Sequence, residues 1–279
     1  MSTAVMFPGQ GSQKLGMGKD LFDQFPEQVK LADEILGYSI RQLCTEDKQE
    51  QLNTTSFTQP ALYVVSALAY LDWVRNGGVA SFTAGHSVGE YAALFAAGAI
   101  DFETGLQWVQ KRGALMAEVS GGGMAAVIGM KADAIFNTLA TSGADSVDVA
   151  NYNSPEQTVI SGPSAVIESL ESNFKEAGAK MYAVLKVSGA FHSRYMQESA
   201  SSFAEFIESA KVHNPKIPVV SNVEAVPYKD SDEIKKYLVA QIHSSVRWLE
   251  SILYLRSNGA KDFIELGSGV VLTRLLKKI

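Results

Sequence analysis

The sequence has little of several features that mark particular classes of protein. Its 279 residues include one cysteine, Cys44, so no internal disulfide forms and we expect a reducing, cytoplasmic compartment. No apolar run approaches the ~20 residues that span a bilayer. Met1 to Thr3 lead directly into a predicted strand, so we expect no signal peptide. The net charge of −6 disfavours nucleic acid as a partner.

The remaining composition is that of an ordinary globular protein. Hydrophobic residues make up 46% of the chain and charged residues 19%. The length accommodates one large domain, or a large domain with a smaller insert. Histidine is scarce, with four residues, and this limits the candidates for a catalytic base.

A nucleophile elbow is predicted at residues 85–89, which read Gly-His-Ser-Val-Gly. An apolar stretch that can end a strand precedes this pentapeptide, and an alanine-rich stretch typical of a closely packed helix follows it. Side chains at Gly85 and Gly89 would collide with the adjoining strand and helix. The turn exposes the Ser87 hydroxyl, and the Val88 N–H can stabilise an oxyanion. The alternative is a tight turn whose serine only caps the helix.

A glycine-rich loop over residues 9–13 follows the first predicted strand, residues 4–7. A dinucleotide-binding fingerprint is excluded, because its third glycine would fall at Lys14. A loop in this place can instead bring a second backbone N–H to the catalytic serine. Gln10 is the candidate for this donor.

A serine nucleophile needs a base, and His192 is the best placed of the four histidines. His86 adjoins Ser87, so its side chain points elsewhere and packs or hydrogen-bonds the turn. His213 lies in a polar stretch, and His243 ends a predicted helix, where a cation is favourable. His192 lies in a loop of small residues at a predicted subdomain junction, where clefts form.

The group that orients this base stays open on sequence alone. Asp145 and Asp148 lie between Ser87 and His192, as the order of hydrolase triads requires. Both fall inside a predicted insert. A backbone carbonyl could orient His192 equally well, which would leave a Ser-His dyad.

Arg112 lies in the apolar stripe of a helix predicted over residues 103–119. It follows Trp108 by four residues and precedes Leu115 by three, so its guanidinium points among apolar side chains. A buried cation needs an anion. On helix geometry alone we favour a protein carboxylate, or an arginine stem that reaches water. The alternative is a substrate carboxylate held by two hydrogen bonds.

The order of predicted elements indicates an insert. Residues 124–187 read β-α-β-β-α-β, the ferredoxin-like order, after a joint predicted to be flexible at residues 121–123. We therefore predict a large α/β subdomain over 1–120 and 190–279 and a small subdomain over 121–189. A helix is predicted to start at residue 58, with Pro60 in its first turn.

These residues resemble the malonyl-CoA:acyl carrier protein transacylases over essentially the whole chain. The chain is most similar to the discrete, trans-acting acyltransferases of polyketide assembly lines, which differ little from their relatives in fatty acid synthesis. The family implies an α/β hydrolase-like core with an inserted ferredoxin-like subdomain. The motifs that carry the resemblance are Phe7-Pro8-Gly9-Gln10-Gly11-Ser12-Gln13, Thr58-Gln59-Pro60-Ala61-Leu62, Gly85-His86-Ser87-Val88-Gly89-Glu90-Tyr91, Arg112-Gly113, Asn153-Ser154-Pro155, Phe191-His192-Ser193, Ser221-Asn222-Val223, and Gln241 ahead of Val246-Arg247-Trp248.

The resemblance implies roles for the catalytic residues. Ser87 is the nucleophile and His192 the base. The backbone N–H groups of Gln10 and Val88 form the oxyanion hole. The main-chain carbonyl of Gln241 orients His192, so neither aspartate is needed.

The resemblance also implies the substrate contacts. Arg112 binds the malonyl carboxylate, and Asn151 and Asn153 contact the pantetheine arm. We place His86 and Gln59, which lie in matching motifs, at the substrate-binding site as well.

Selectivity among acyl groups is expected to depend on Phe191, which is placed to lean over C2 of the malonyl unit. Related malonyl-selective polyketide acyltransferases often read His-Ala-Phe-His. Here Gly189 replaces the first histidine, and we expect it to leave extra room beside Phe191.

The implied function is ping-pong transfer of malonyl from malonyl-CoA to an acyl carrier protein, a transient partner. No metal or redox cofactor is implied, and we expect a monomer without membrane contact. The alternatives are a proofreading acyl hydrolase on the same fold and a non-catalytic docking subunit. Carrier proteins are usually acidic, so we predict a local basic docking patch at Lys180, Lys186 and Arg194.

Overall fold

The chain folds around two β-sheets. The computed structural model describes residues 2–279. Met1, which was predicted to lead into the first strand, lies outside the described residues. Within them the strands are β1 (Thr3–Phe7), β2 (Phe82–Gly85), β3 (Gly122–Ile128), β4 (Asp148–Ser154), β5 (Gln157–Pro163), β6 (Met181–Val184), β7 (Val219–Val220) and β8 (Asp262–Glu265).

Helices connect these strands. Their bounds are α1 (Lys19–Phe22), α2 (Pro26–Leu36), α3 (Ile40–Thr45), α4 (Thr55–Arg75), α5 (Gly89–Ala96), α6 (Phe102–Glu118), α7 (Ala132–Thr141), α8 (Ser164–Ser169), α9 (Glu171–Glu176), α10 (Gln197–Ile207), α11 (Ser231–His243), α12 (Trp248–Ser257) and α13 (Val271–Leu276). A single 3₁₀ turn, Arg194–Met196, precedes α10. Within residues 2–279 no helix combines the length and the apolarity needed to cross a membrane.

The two sheets have different topologies. The first has the order β7-β2-β1-β8, and its neighbouring strands are parallel. The second has the order β4-β5-β3-β6, and its neighbours are antiparallel. With α7 after β3 and α8–α9 after β5, the second sheet has the ferredoxin-like arrangement. The predicted fold class, an α/β core with an inserted ferredoxin-like subdomain, is confirmed; the exact subdomain limits stay a prediction.

Strand β3 faces the cores of both parts of the molecule. Met124 and Ala126 pack into the main hydrophobic cluster, whereas Ala125 and Val127 pack into the cluster beneath the second sheet. This alternation follows from the two-residue period of a strand. One face of the insert therefore lies against the large subdomain, and a cleft forms between them.

The predicted flexible joint at residues 121–123 is wrong. Gly122 and Gly123 are the first residues of β3 and pair with Pro163 and Gly162. A Cβ on Gly122 would lie 2.1 Å from the backbone nitrogen of Ala190. Glycine is needed here because two backbones approach closely, so these glycines serve close packing at the junction.

The predicted start of the fourth helix is also wrong. Helix α4 begins at Thr55, three residues early, and places Pro60 in its second turn. The Thr54 carbonyl accepts hydrogen bonds from the backbone N–H groups of Phe57 and Thr58, both at 2.8 Å, and closes the first turn. The helix thus tolerates a proline beyond the first turn, where only one backbone hydrogen bond is lost.

Candidate active site

Ser87 lies on a sharp turn between β2 and α5. Its φ is 52°, a left-handed conformation that a residue with a side chain seldom adopts. The flanking glycines have no space for a side chain. A Cβ on Gly85 would lie 2.0 Å from the carbonyl carbon of Gly89, and a Cβ on Gly89 would lie 2.1 Å from the Phe7 oxygen. The chain therefore has the elbow geometry that the pentapeptide predicts.

Ser87 and His192 contact each other directly. Ser87 Oγ lies 2.7 Å from His192 Nε2, and His192 Nδ1 lies 2.8 Å from the main-chain oxygen of Gln241. A carbonyl oxygen only accepts, so Nδ1 carries the proton and Nε2 is free to accept the serine proton. This arrangement matches the predicted Ser-His dyad with a carbonyl as the orienting group; the catalytic roles stay predictions.

The environment of His192 favours the neutral imidazole. Burial, together with the positive charge of Arg112, lowers the pKa of His192 to about 3. The ring is therefore uncharged at neutral pH, as a general base must be before it acts.

Two backbone N–H groups at the site are available to an oxyanion. Gln10 and Val88 both line the cavity that contains Ser87. Neither backbone N–H donates a hydrogen bond to any described residue of the chain. The Gln10 side chain is held separately, because its Nε2 donates to Thr55 Oγ1 at 3.1 Å. The first loop and the start of α5 thus place two free donors beside the serine, as the sequence predicts.

Arg112 is fully buried on α6 and has no carboxylate partner among residues 2–279. Its Nη1 donates to Gln59 Oε1 at 2.7 Å, and its Nη2 donates to Ser87 Oγ at 3.0 Å and to Gln241 Oε1 at 2.8 Å. Its Nε makes no hydrogen bond within the described chain. The protein carboxylate and the solvent-exposed stem, which helix geometry favoured, are both wrong. Burial lowers the pKa of Arg112, and the nearby negative charge of Glu90 acts in the opposite direction.

The cavity at Ser87 lies between the two subdomains. Its polar and apolar lining residues are Gln10, Gln59, His86, Ser87, Val88, Met116, Met124, Asn151, Leu185, Val187, Phe191 and His192. Eight of the eleven site residues predicted from sequence belong to this set. Arg112 and Gln241 lie directly behind Ser87, while Asn153 is set further back.

His86 and Asn153 bind each other rather than facing a common ligand. His86 Nε2 lies 2.8 Å from Asn153 Oδ1, and the His86 ring packs at 5.6 Å from the Trp248 ring. His86 still lines the cavity, but Asn153 does not. Asn151 lines the cavity directly, so of the two asparagines it is the better placed to contact a pantetheine arm.

Phe191 lines the cavity beside His192 and is 5% exposed. A Cβ on Gly189 would lie 2.8 Å from the Phe191 ring and 3.2 Å from the Val119 oxygen. The predicted extra room beside Gly189 is therefore absent, because the Phe191 ring itself fills it.

The remaining candidates lie elsewhere. His213 and Asp145 are exposed. His243 lies outside the cavity, in a neighbouring groove that Asp148 and the other side of His192 also line. Asp148 binds the guanidinium of Arg194, with Nε 3.0 Å from each carboxylate oxygen. Neither aspartate hydrogen-bonds to His192, whose Nδ1 bonds the Gln241 oxygen, so neither completes a triad.

Two of the three residues in the predicted basic docking patch form ion pairs. Arg194 pairs with Asp148, and Lys180 Nζ lies 3.4 Å from Glu156 Oε2. Lys186 is exposed and forms no ion pair within residues 2–279.

Sequence reasoning missed a buried polar network behind the serine. Asn222 Oδ1 accepts from the Ser87 N–H at 2.7 Å, and Asn222 Nδ2 donates to the Gly85 oxygen at 2.6 Å. Glu90 accepts from the Asn222 N–H at 2.9 Å and from the Tyr228 hydroxyl at 2.6 Å. The available signal was Glu90 itself, the one charged residue in the otherwise apolar helix α5.

The fold and the elbow site define an acyl transferase, and comparison with known proteins agrees. Residues 5–278 match the model of the acyl transferase domain, so the chain belongs to that family. The predicted family and the predicted enzyme class, an acyltransferase, are confirmed.

Particular relatives resemble the chain over nearly its whole length. The polyketide biosynthesis malonyl CoA-acyl carrier protein transacylase PksC of Bacillus subtilis is 52% identical over 98% of this chain and 96% of its own. The polyketide biosynthesis protein ThaF of Burkholderia thailandensis is 50% identical, but this chain spans only 24% of its length.

Solved structures of relatives superpose closely. The malonyl CoA-acyl carrier protein transacylase of Burkholderia pseudomallei has a TM-score of 0.96 at 45% identity, covering 100% of this chain and 97% of that one. A malonyl-transacylase in complex with a type II PKS acyl-carrier protein has a TM-score of 0.95 at 37% identity, and the match covers 100% of this chain and 93% of that one.

Proposed function

We propose that this chain transfers a malonyl group from malonyl-CoA to the phosphopantetheine thiol of an acyl carrier protein. The observation that carries the proposal is the buried Arg112 guanidinium, which has no carboxylate partner and touches the nucleophile Ser87. A cation in that position favours an acyl group that ends in a carboxylate. The names of the relatives, including PksC, support the same substrates and a role in polyketide or fatty acid synthesis.

Acylation begins when Ser87 Oγ attacks the thioester carbon. The serine proton passes to His192 Nε2 across the 2.7 Å contact. The carbonyl oxygen becomes an oxyanion that the N–H groups of Gln10 and Val88 stabilise. The carbon–sulfur bond then breaks, and CoA leaves with the proton from His192. The product is malonyl esterified to Ser87.

The second half reverses these steps with a different thiol. The phosphopantetheine thiol of the carrier protein gives its proton to His192, and its sulfur attacks the ester carbon. The bond to Ser87 Oγ breaks, and His192 returns the proton to the serine. Malonyl leaves as a thioester of the carrier protein, so the reaction needs no metal or redox cofactor.

Arg112 becomes available to the substrate through Gln59. Gln59 lines the cavity, and its Oε1 accepts from Arg112 Nη1. A malonyl carboxylate that replaces this amide oxygen forms a stronger, charge-assisted hydrogen bond. The positive charge of Arg112 contributes to the low pKa of His192, so pairing that charge with a carboxylate strengthens the base. Substrate recognition and base strength are coupled in this way.

The remaining contacts concern the pantetheine arm and the carrier protein. Asn151, at the cavity wall, binds the pantetheine arm, and His86 is held in place by Asn153 behind it. The relative solved with an acyl-carrier protein supports a carrier protein as the transient partner. The monomeric state and the cytoplasmic location stay predictions.

The test is an intact-mass measurement after mixing the protein with malonyl-CoA. We expect a stable malonyl adduct that Ser87→Ala abolishes, and its transfer to a holo carrier protein on addition. Rapid release of free malonate without an adduct would favour the acyl hydrolase instead. The absence of both adduct and malonate would favour a docking subunit.

A further inference from the structure

Glu90 is a fully buried carboxylate that the proposed reaction does not use. Its Oε1 accepts from the Asn222 N–H at 2.9 Å and the Tyr228 hydroxyl at 2.6 Å, and its Oε2 accepts from Gln241 Nε2. Burying a carboxylate is costly, and three donors on one carboxylate point to a specific role.

The Gln241 amide lies between this carboxylate and Arg112. Gln241 Oε1 accepts from Arg112 Nη2 at 2.8 Å, while Nε2 donates to Glu90 and to the Ser87 oxygen at 3.0 Å. If the amide turned over, its NH₂ would face the guanidinium and its oxygen would face a carboxylate and a carbonyl. Every contact would then pair like with like, so the two charges fix the orientation of the amide.

We propose that Glu90 is a positioning residue, which orients Arg112 through the Gln241 amide and so sets the preference for a carboxylated acyl group. The inference rests on the proposed function. The amide holds Arg112 Nη2 within 3.0 Å of Ser87 Oγ. Because Glu90 balances the charge of Arg112 from behind this amide, it does not occupy the guanidinium edge that a substrate carboxylate needs.

The substitution Glu90→Gln tests the mechanism because it keeps the shape and removes the charge. One carboxylate oxygen becomes an NH₂ donor, which must face either Asn222 or Gln241. The Asn222 N–H belongs to the backbone and has a fixed direction, whereas the Gln241 amide can rotate. We therefore expect the Gln241 amide to rotate, so that its NH₂ turns toward Arg112 and displaces the guanidinium from Ser87.

Thr83→Val is the matched control. Thr83 is fully buried on β2, and its Oγ1 donates to the Ala93 oxygen of α5 at 3.2 Å. The substitution removes a buried hydrogen bond between β2 and α5, the two elements that flank Ser87, without changing any hydrogen bond of Glu90. It measures what a general loss of packing at this helix does to activity.

Two reactions of Ser87 are compared at pH 8 for wild type, Glu90→Gln and Thr83→Val. The first is acylation by malonyl-CoA, and the second is labelling by an uncharged fluorophosphonate, which needs Ser87 and His192 but not Arg112. We expect Glu90→Gln to slow malonyl acylation about 100-fold, since a misplacement near 1 Å costs this much. Fluorophosphonate labelling should stay within about threefold of wild type, and Thr83→Val should change neither reaction beyond that margin.

Equal losses in both reactions would overturn the proposal, since Glu90 would then act on the Ser-His pair or on folding alone. Unchanged malonyl acylation would overturn it as well. If Glu90→Gln does not fold, Tyr228→Phe removes the hydroxyl that stabilises the charged carboxylate, and we expect roughly a tenfold loss confined to malonyl acylation.

A crystal structure of the variant gives a readout without substrate. Displacement of Arg112 Nη2 beyond hydrogen-bonding distance of Ser87 Oγ supports the positioning role, and an unmoved guanidinium contradicts it. A wild-type protein that reacts with fluorophosphonate but not with malonyl-CoA would contradict the proposed function separately.

Discussion

Ser87 and His192 lie 2.7 Å apart, and both hold a left-handed backbone, with φ of 52° and 56°. Each such residue costs about 1–3 kcal/mol and persists only where its surroundings fix it. Asn222 supplies part of that constraint, because it bonds both the Ser87 N–H and the Gly85 oxygen. Strain at both partners indicates that the fold holds this pair in place before substrate arrives.

The first prediction concerns the base. His192→Ala should slow acylation by malonyl-CoA about 10²–10⁴-fold, the range for loss of a general base, while malonyl-CoA binding survives. His243→Ala is the control, because His243 lies in the adjoining groove and not in the cavity. Single-turnover mass spectrometry measures the rate. Acylation at the wild-type rate in His192→Ala would show that the base is misassigned.

The second prediction concerns Arg112. Arg112→Ala should reduce malonyl transfer about 100-fold or more and raise the relative use of acetyl-CoA, because a charge-assisted hydrogen bond to the carboxylate is lost. Lys111→Ala removes a neighbouring cation on the same helix, one that lies 5.8 Å from the Phe206 ring, and should leave the malonyl-to-acetyl ratio unchanged. An unchanged ratio in Arg112→Ala would remove Arg112 from substrate recognition.

The elbow could be predicted from the sequence because its constraints are local. Gly85 and Gly89 lie within two residues of Ser87, and the pattern specifies the turn. The network behind it joins distant residues: Arg112 to Gln241 spans 129 positions and Gln241 to Glu90 spans 151. Helix periodicity places Arg112 in the interior, but its partners depend on tertiary packing that one sequence does not specify.

The two errors in the fold have different origins. Gly122 was predicted to be part of a flexible joint, but the Ala190 backbone packs against it. Pro60 was predicted to lie in the first turn of its helix, but the Thr54 carbonyl closes an earlier turn. Gly122 therefore depends on a tertiary contact that local propensity leaves out, whereas for Pro60 only the boundary of a correctly predicted helix was misplaced.

The third prediction is a dependence of stability on pH. Burial raises the pKa of Glu90 from 4.5 to about 7 in the folded protein. Between these values the folded state binds more protons than the unfolded state, so stability falls as pH rises from 4.5 to 7, by about 3 kcal/mol at most. Glu90→Gln removes this change of the free energy of unfolding with pH. Urea unfolding of wild type and variant at pH 5 and pH 8 measures this free energy. An equal change between the two pH values in both proteins would contradict the raised pKa of Glu90.

The fourth prediction concerns carrier-protein docking. Lys186 is exposed without an ion pair among residues 2–279, and its neighbours Leu185 and Val187 both line the cavity. Lys186→Glu should raise the KM for the carrier protein severalfold, because an acidic partner loses a favourable charge at the cavity rim. Acylation by malonyl-CoA should not change.

Lys261→Glu is the control for Lys186→Glu, with the same change of charge at the start of β8. The serine lies instead at the carboxyl end of β2, which runs parallel to β1 and β8. An equal rise in KM for both variants would indicate a general charge effect, and no rise would place docking elsewhere.

The last prediction concerns a methyl branch on the acyl group. The Phe191 ring lines the cavity beside His192 and fills the space next to Gly189, so methylmalonyl should meet it at C2. One methyl group in an apolar pocket is worth about 1–3 kcal/mol, so wild type should prefer malonyl-CoA about 10- to 200-fold in competition. Phe191→Ser should narrow this preference by removing the ring. Gly189→Ala keeps the ring but places a Cβ 2.8 Å from it, so the ring must move and the preference should also change. Equal use of both substrates by wild type would rule out a steric role for Phe191, whereas a preference that survives Phe191→Ser would assign the selection to another residue.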